Sequence, residues 1–302
     1  MSTQSPNLRQ ILSDTWRIIT AHPRHFSALS ALFLLPVSFA AMLYPFITQP
    51  AVHSHYLQSL FTISTPPGPK PQLITSLIYF LASLLFSLCS TSSITYSAFA
   101  AFYKKPVEFI PSLNSILVSF FPLLITQIVS GLIIFVFVFI LLVLAIPAGL
   151  VMFEYNKDHV PFVFFVGITI VVIAVMYLQV EWGLSTSVVI LESKWGLAPL
   201  KRSSYLVKGT RRVVLSMRAL FSSAGGILSM WYLNVAANRG GASEGWFCVE
   251  MVVYVVLATV LSLFGIVANT VLFVYCKASR GDSVADVIDV ETGVEYVALP
   301  KA

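Results

Sequence analysis

A stretch of 45 consecutive residues without a charged side chain, residues 109–153, constrains this chain more than any other feature of its sequence. An α-helix rises 1.5 Å per residue, so the stretch corresponds to about 68 Å of helix. The hydrocarbon core of a bilayer is about 30 Å thick and is crossed by about 20 apolar residues. The stretch is therefore long enough for two crossings, or for one crossing that follows a helix lying along the membrane surface.

The rest of the chain has the composition of a membrane protein. Apolar residues make up 57% of the 302 residues and charged residues only 10%, whereas soluble proteins carry about 25% charged residues. We therefore predict an all-α integral membrane protein in which residues 1–302 form a single polytopic domain. The six predicted transmembrane helices are roughly 26–49, 72–102, 122–153, 160–191, 213–237 and 247–276.

The basic residues predict the orientation of these helices. Six crossings place fourteen Lys and Arg residues on one side of the membrane and three on the other. Basic loops stay in the cytosol, so we expect a cytosolic N-terminus and a cytosolic tail, 277–302. A seventh crossing within 109–153 would move the basic segment 192–212 across the membrane, which favours one crossing over two. We expect the endoplasmic reticulum, another endomembrane or the plasma membrane as the location.

Three segments have the pattern of amphipathic helices on the cytosolic surface, roughly 6–21, 109–121 and 196–208. In the second, Phe109, Leu113 and Leu117 recur at helical spacing, with serines on the other side. Pro122 then predicts a bend into the third transmembrane helix. Since each surface helix precedes a helix out and a helix back, the predicted arrangement is three consecutive helix-hairpin units.

The third surface segment concentrates positive charge, because six of the eighteen Lys and Arg residues lie between 194 and 212. Basic residues near an anionic cytosolic leaflet contribute about 1 kcal/mol each. The predicted partners are therefore the lipid bilayer and its anionic leaflet, and not nucleic acid, since the segment lacks the interleaved aromatic residues of a single-strand groove. The predicted membrane-surface residues are Lys201, Arg202, Lys208, Arg211 and Arg212.

Polar residues inside the predicted spans are candidates for function, because charge in lipid is costly. Glu181 and Arg218 enter their spans from the cytosolic side to similar depths, which predicts an ion pair. The pair is either structural or part of a proton or ion relay, and the third alternative is that Glu181 simply reaches the membrane interface. Gln127, Asn234 and Asn269 are expected to form hydrogen bonds between helices.

The stretch "SVVILESKWGLAPLKRSSYLVKG" resembles the pattern LE…G..AL.RS..L.KG of a family of uncharacterised plant multi-pass membrane proteins. The N-terminal stretch "ILSDTWRIITAHPRHFSALSALFLLPVSF" is similar to the start of the same family. More remotely, the layout resembles the membrane domain attached to some bacterial glycerophosphodiester phosphodiesterases. The resemblance implies a helical membrane domain and supplies no agreed activity. The residues that match the motif are Glu192, Gly196, Ser203, Leu206, Lys208 and Gly209.

No GxSxG, HExxH, Walker A or GxGxxG motif occurs, so we expect no enzyme activity, no catalytic residue, no metal and no cofactor. The favoured function is a non-catalytic protein that organises the membrane or binds an unidentified protein partner. The alternative is a transporter or lipid-handling protein, in which Gln127, Glu181 and Arg218 line a polar path through spans three to five.

Overall fold

The computed structural model of the chain describes residues 7–48, 69–105, 109–155, 160–237 and 244–281. Within these ranges the regular elements are helices, and no strand is found. Most of the predicted cytosolic tail and the first residues of the chain lie outside the described residues. The helices are α1 Leu8–Ala21, α2 Pro23–Leu29, α3 Leu35–Thr48, α4 Pro69–Phe102, α5 Phe109–Tyr155, α6 Val160–Glu181, α7 Ser185–Glu192, α8 Ala198–Val207, α9 Arg211–Ala237 and α10 Glu244–Ser279.

Six helical segments of the described chain are long and apolar enough to cross a membrane. Their number and their order agree with the six spans expected from the sequence, and the all-α prediction is confirmed. The first of them includes a π-helical turn, Ser30–Leu34, which joins α2 to α3. The six segments are Pro23–Tyr44, Leu73–Phe102, Phe109–Leu141, Gly167–Glu192, Arg211–Val235 and Trp246–Ser279.

The charge-free stretch forms one uninterrupted helix, α5, and this corrects the predicted boundary at Pro122. Proline removes one backbone donor from a helix, but membrane helices tolerate it when other groups satisfy the freed backbone. Because two crossings would require a turn within the stretch, the continuous helix excludes a hairpin there.

The serines near the start of α5 face α4 and not water. The amphipathic pattern that predicts a surface helix over 109–121 therefore comes from packing between two helices. Ser97 on α4 bonds Ser112 (Oγ to Oγ, 2.8 Å), and Ser92 donates to the carbonyl of Ser115 at 3.0 Å. Large apolar side chains on the same helix point outward, and Leu117 is 76% exposed. Hydroxyls between helices and apolar residues outside are typical of helix packing in lipid. The segment 109–121 therefore has a polar face without being a separate helix.

The other two predicted surface segments are found as separate helices. The segment 6–21 corresponds to α1, which buries Ile11, Thr15 and Ile18 and leaves Trp16 exposed. The segment 196–208 corresponds to α8. Their position at a membrane surface stays a prediction, as does the arrangement in three hairpins.

The described residues group into two compact units. Unit 1 is drawn from residues 1–11, 117–218 and 269–302, and unit 2 from 12–116 and 219–268. Unit 1 contains the basic segment and the motif, whereas unit 2 contains the serine-rich part of α4.

Candidate functional site

The predicted span 160–191 is divided by a turn, because α6 ends at Glu181 and α7 begins at Ser185. Ser203, which is fully buried on α8, bonds both sides of this interruption. The backbone nitrogen of Leu184 donates to Ser203 Oγ at 3.1 Å, and Ser203 Oγ donates to the carbonyl of Glu181 at 2.8 Å. Helix ends leave backbone groups without partners, so this motif serine satisfies two of them.

The carboxylate of Glu181 lies at the same interruption and is almost fully buried. Arg211, at the start of α9, places Nη2 2.6 Å from Oε1 of Glu181. Oε1 makes no aligned hydrogen bond, so this contact is ionic. The hydroxyl of Ser204 donates to Oε2, and the guanidinium of Arg211 also lies over the ring of Tyr177 at 5.8 Å.

The predicted ion pair between Glu181 and Arg218 is therefore wrong in its partner. Arg218 lies seven residues beyond Arg211, which is about 10 Å along a helix. It is exposed and forms no ion pair with a described residue. The prediction assumed that Glu181 lies well inside a span ending near residue 191. Since α6 ends at Glu181, this carboxylate meets the first turn of α9 and not its second or third.

Glu192, at the end of α7, collects three cations around one carboxylate that is 7% exposed. Its Oε2 lies 3.0 Å from Lys194 Nζ and 3.2 Å from Arg202 Nε, and its Oε1 lies 3.3 Å from Lys277 Nζ. A second contact joins Arg202 Nη2 to Oε1 at 3.4 Å. Lys277 is only 5% exposed, so Glu192 neutralises a buried cation from the end of α10.

The remaining motif residues shape the turns around α8. Gly196 has φ +71° and donates its N–H to Thr126 Oγ at 3.2 Å, and Gly209 has φ +105° between α8 and α9. Both values favour glycine. Leu206 is fully buried, and the carbonyl of Lys208 accepts a bond from Arg280. All six motif residues thus contribute to holding α7, α8 and the adjoining helix ends together.

Of the predicted membrane-surface residues, Lys201, Lys208, Arg211 and Arg212 are exposed. Arg202 is half-buried because it bonds Glu192. Its guanidinium also lies 5.7 Å from the ring centre of Tyr205, and that of Arg280 lies 4.9 Å from the same ring.

The other polar residues of the spans do not converge on Glu181. Asn269 is half-buried on α10 and donates to Ser187 Oγ on α7 at 3.4 Å. Gln127 and Arg218 are exposed in unit 1, whereas Glu181 is buried there, and Asn234 is exposed in unit 2. Among the described residues, no group of three or more His, Cys, Asp or Glu side chains is arranged to hold a metal ion.

Sequence reasoning missed several members of this site, namely Ser204, Tyr205, Lys277 and Arg280. Lys277 and Arg280 entered the prediction only as charges of the tail. A signal was present in the motif, because Glu192 is an isolated acid within a basic segment. Such a carboxylate needs cationic partners when it is buried, but the sequence does not say which ones.

Six apolar helices, with charged clusters that join helix ends within unit 1, fit the class of helical membrane proteins. The chain belongs to the family of the domain of unknown function DUF8558, whose model matches residues 70–299. The match covers well over half of the chain and includes the whole motif. No curated protein and no solved structure matches the chain.

Proposed function

We propose that this protein is a non-catalytic multi-pass membrane protein that organises anionic lipid at the cytosolic face. The acting part is the segment 185–212, which contains α7, α8 and the start of α9 and which we call the basic platform. The observation that carries the proposal is the way in which two buried carboxylates, Glu181 and Glu192, tie the platform to the ends of α6 and α10. A platform fixed in this way presents its remaining charges in a set geometry.

Three exposed cations of the basic platform attract the anionic headgroups of the cytosolic leaflet. Lys201, Lys208 and Arg212 form no ion pair with a described carboxylate. Trp195 and Leu197 are exposed beside them, and tryptophan favours the headgroup level of a membrane. This mixture of apolar and basic residues suits the surface of an anionic leaflet.

The proposed orientation has both termini in the cytosol. It is supported by the unequal distribution of basic residues and by the length of α6, whose 22 residues correspond to about 33 Å of helix. The helix α6 alone is then long enough to cross the bilayer, and Glu181 and the platform lie at its cytosolic end. The resemblance to uncharacterised plant membrane proteins adds no activity to this proposal.

The test measures anionic lipid around the full-length protein in reconstituted vesicles that contain about one phosphatidylserine in five lipids. Energy transfer from the protein's tryptophans to labelled phosphatidylserine should exceed transfer to labelled phosphatidylcholine. The excess should fall as salt rises from about 0.1 M to about 1 M, because the screening length falls from about 10 Å to about 3 Å.

A triple variant, Lys201→Gln, Lys208→Gln and Arg212→Gln, should lose most of the excess. The matched control is Lys70→Gln, Lys157→Gln and Arg239→Gln, which removes the same charge from the side expected to face away from the cytosol. Equal enrichment of the two lipids by the wild-type protein would refute the proposal.

One observation favours the alternative, a transporter or lipid-handling protein. Interrupted membrane helices often form ion sites, and the interruption after α6 carries the buried carboxylate Glu181. The alternative predicts an ion or proton flux in proteoliposomes that Glu181→Gln abolishes while the unfolding temperature is kept. The exposed positions of Gln127 and Arg218 weigh against the continuous path that this function requires.

A further inference from the structure

We propose that Arg202, Tyr205 and Arg280 form a binding site for a phosphomonoester, and that its ligand is the headgroup of an anionic phospholipid. The proposal rests on the proposed function and gives the basic platform a specific lipid contact. The observation that supports it is that the guanidinium groups of Arg202 and Arg280 both lie over the exposed ring of Tyr205.

The ring of Tyr205 is half exposed on α8 and lies under both guanidinium groups. Arg202 comes from the same helix and Arg280 from the chain just beyond α10. A guanidinium stacked over a ring keeps its N–H donors in its own plane, at its edge. Arg202 already directs Nε and Nη2 at Glu192, and Arg280 directs Nη2 at the carbonyl of Lys208, so the remaining donors, chiefly those on Nη1 of each guanidinium, are the ones offered to phosphate oxygens.

Among the described residues, positive charge exceeds negative charge around this ring. Glu192 is the one described carboxylate in ion-pair contact with this cluster, and it faces Lys194, Arg202 and Lys277. Arg280 adds a further cation that forms no ion pair with a described carboxylate. A phosphomonoester carries about −1.5 to −2 charges near pH 7, so it balances this excess better than a phosphodiester with one charge.

Both arginines are fixed by groups of the motif before any ligand arrives. Two contacts of 3.2 and 3.4 Å hold Arg202 on the carboxylate of Glu192. Arg280 donates to the carbonyl of Lys208, the residue that ends α8. Binding to groups that are already ordered avoids the loss of side-chain entropy that flexible surface cations incur. The fixed positions of the two guanidinium groups distinguish the site from a surface that attracts anions only through its overall charge.

The test titrates the full-length protein, in nanodiscs of phosphatidylcholine, with dioctanoyl phosphatidic acid, and follows binding by native mass spectrometry. Arg280→Gln should weaken binding about tenfold or more, because a bond between charged groups is lost. Arg9→Gln, on α1, is the matched control, since it removes one exposed cation that lies outside the basic platform and forms no ring or carboxylate contact with a described residue, and it should change binding less than about twofold.

The ring is tested by two variants at one position. Tyr205→Phe keeps the surface on which both guanidinium groups lie and should bind like the wild-type protein, whereas Tyr205→Ala should weaken binding severalfold. Arg280→Lys keeps the charge but loses the planar fork. It should bind more weakly than the wild-type protein and should unfold at the same temperature, which separates a binding defect from a folding defect.

Each other outcome is decisive. Equal losses for Arg280→Gln and Arg9→Gln would overturn the site and leave only a general attraction between surface cations and anionic lipid. Dioctanoyl phosphatidylcholine binding as tightly as the phosphatidic acid would also overturn it. If inorganic phosphate displaces the lipid at equal concentration, the ligand is a soluble phosphate compound and the lipid assignment is wrong. Loss of phosphatidylserine enrichment in vesicles, with this site intact, would instead refute the proposed function.

Discussion

The two units bury polar side chains in different ways. In unit 1, two carboxylate clusters join helix ends: Glu181 with Ser204 and Arg211, and Glu192 with Lys194, Arg202 and Lys277. In unit 2, a serine interface joins the sides of α4 and α5 through Ser92, Ser97, Ser112 and Ser115, with His25 Nε2 3.0 Å from Ser97 Oγ.

The difference lies in what each side chain does when its partner is removed. A buried charge has no good substitute for its counter-ion, so each carboxylate cluster depends on all its members. The hydroxyl of Ser97 donates to the carbonyl of Ser93 in its own preceding turn at 2.7 Å, whereas that of Ser92 donates across the interface to the carbonyl of Ser115. The contact of Ser97 with Ser112 on α5 is therefore made in addition to a hydrogen bond within its own helix. We expect large, coupled losses of stability in unit 1 and small, independent ones in unit 2.

The largest effect is predicted for Glu192→Gln. The substitution leaves Lys277 buried and without a counter-ion, and breaking a buried ion pair from one side costs about 3–5 kcal/mol. The thermal unfolding temperature in detergent should fall by several degrees. Glu250→Gln is the control, because Glu250 contacts the exposed Trp246 and no described cation. Equal unfolding temperatures for the two variants would mean that the Glu192 cluster adds nothing to stability.

The second effect concerns the corrected ion pair. Glu181→Gln and Arg211→Gln should each lower the free energy of unfolding by about 1–2 kcal/mol, less than at Glu192 because Arg211 is 47% exposed. The double variant should recover part of the loss, since neither charge is then left alone. Combining Glu181→Gln with Arg218→Gln should give additive losses within about 0.5 kcal/mol. If the losses of Glu181→Gln couple with those of Arg218→Gln and not with those of Arg211→Gln, then Arg218 is the partner of Glu181.

The sequence was sufficient to predict the helical class and the six apolar segments, because crossing a bilayer fixes the length and apolarity of each segment. It was insufficient to predict the interruption after Glu181, since residues 160–191 are apolar almost throughout. Gly183 was the local clue. A Cβ added there would lie 3.2 Å from the carbonyl oxygen of Gln179, so a side chain would crowd the backbone at this turn.

The charge pairs could not be predicted for a different reason. Lys277 and Glu192 are far apart in sequence and meet only because α7 and the end of α10 pack within unit 1.

The serines of α5 illustrate a third limit on what the sequence predicts. A polar helix face indicates that the face avoids lipid. Its hydroxyls find hydrogen-bond partners equally well in water at a membrane surface or in polar groups on another helix. Only the packing of α4 against α5 separates these cases.

The smallest effect is predicted for the serine interface. Ser92→Ala removes the two contacts of its hydroxyl with Ser115, and Ser97→Ala removes the contacts with Ser112 and His25. Hydrogen bonds between membrane helices contribute about 0.6 kcal/mol each on average. Alanine fits the space of serine, so no clash is added. Each variant should unfold within a degree or two of the wild-type protein, and the double variant should show the sum of the two losses. A loss as large as that of Glu192→Gln, or a strong coupling between the two serines, would mean that the hydroxyls act as one network. The comparison between the two units would then no longer hold.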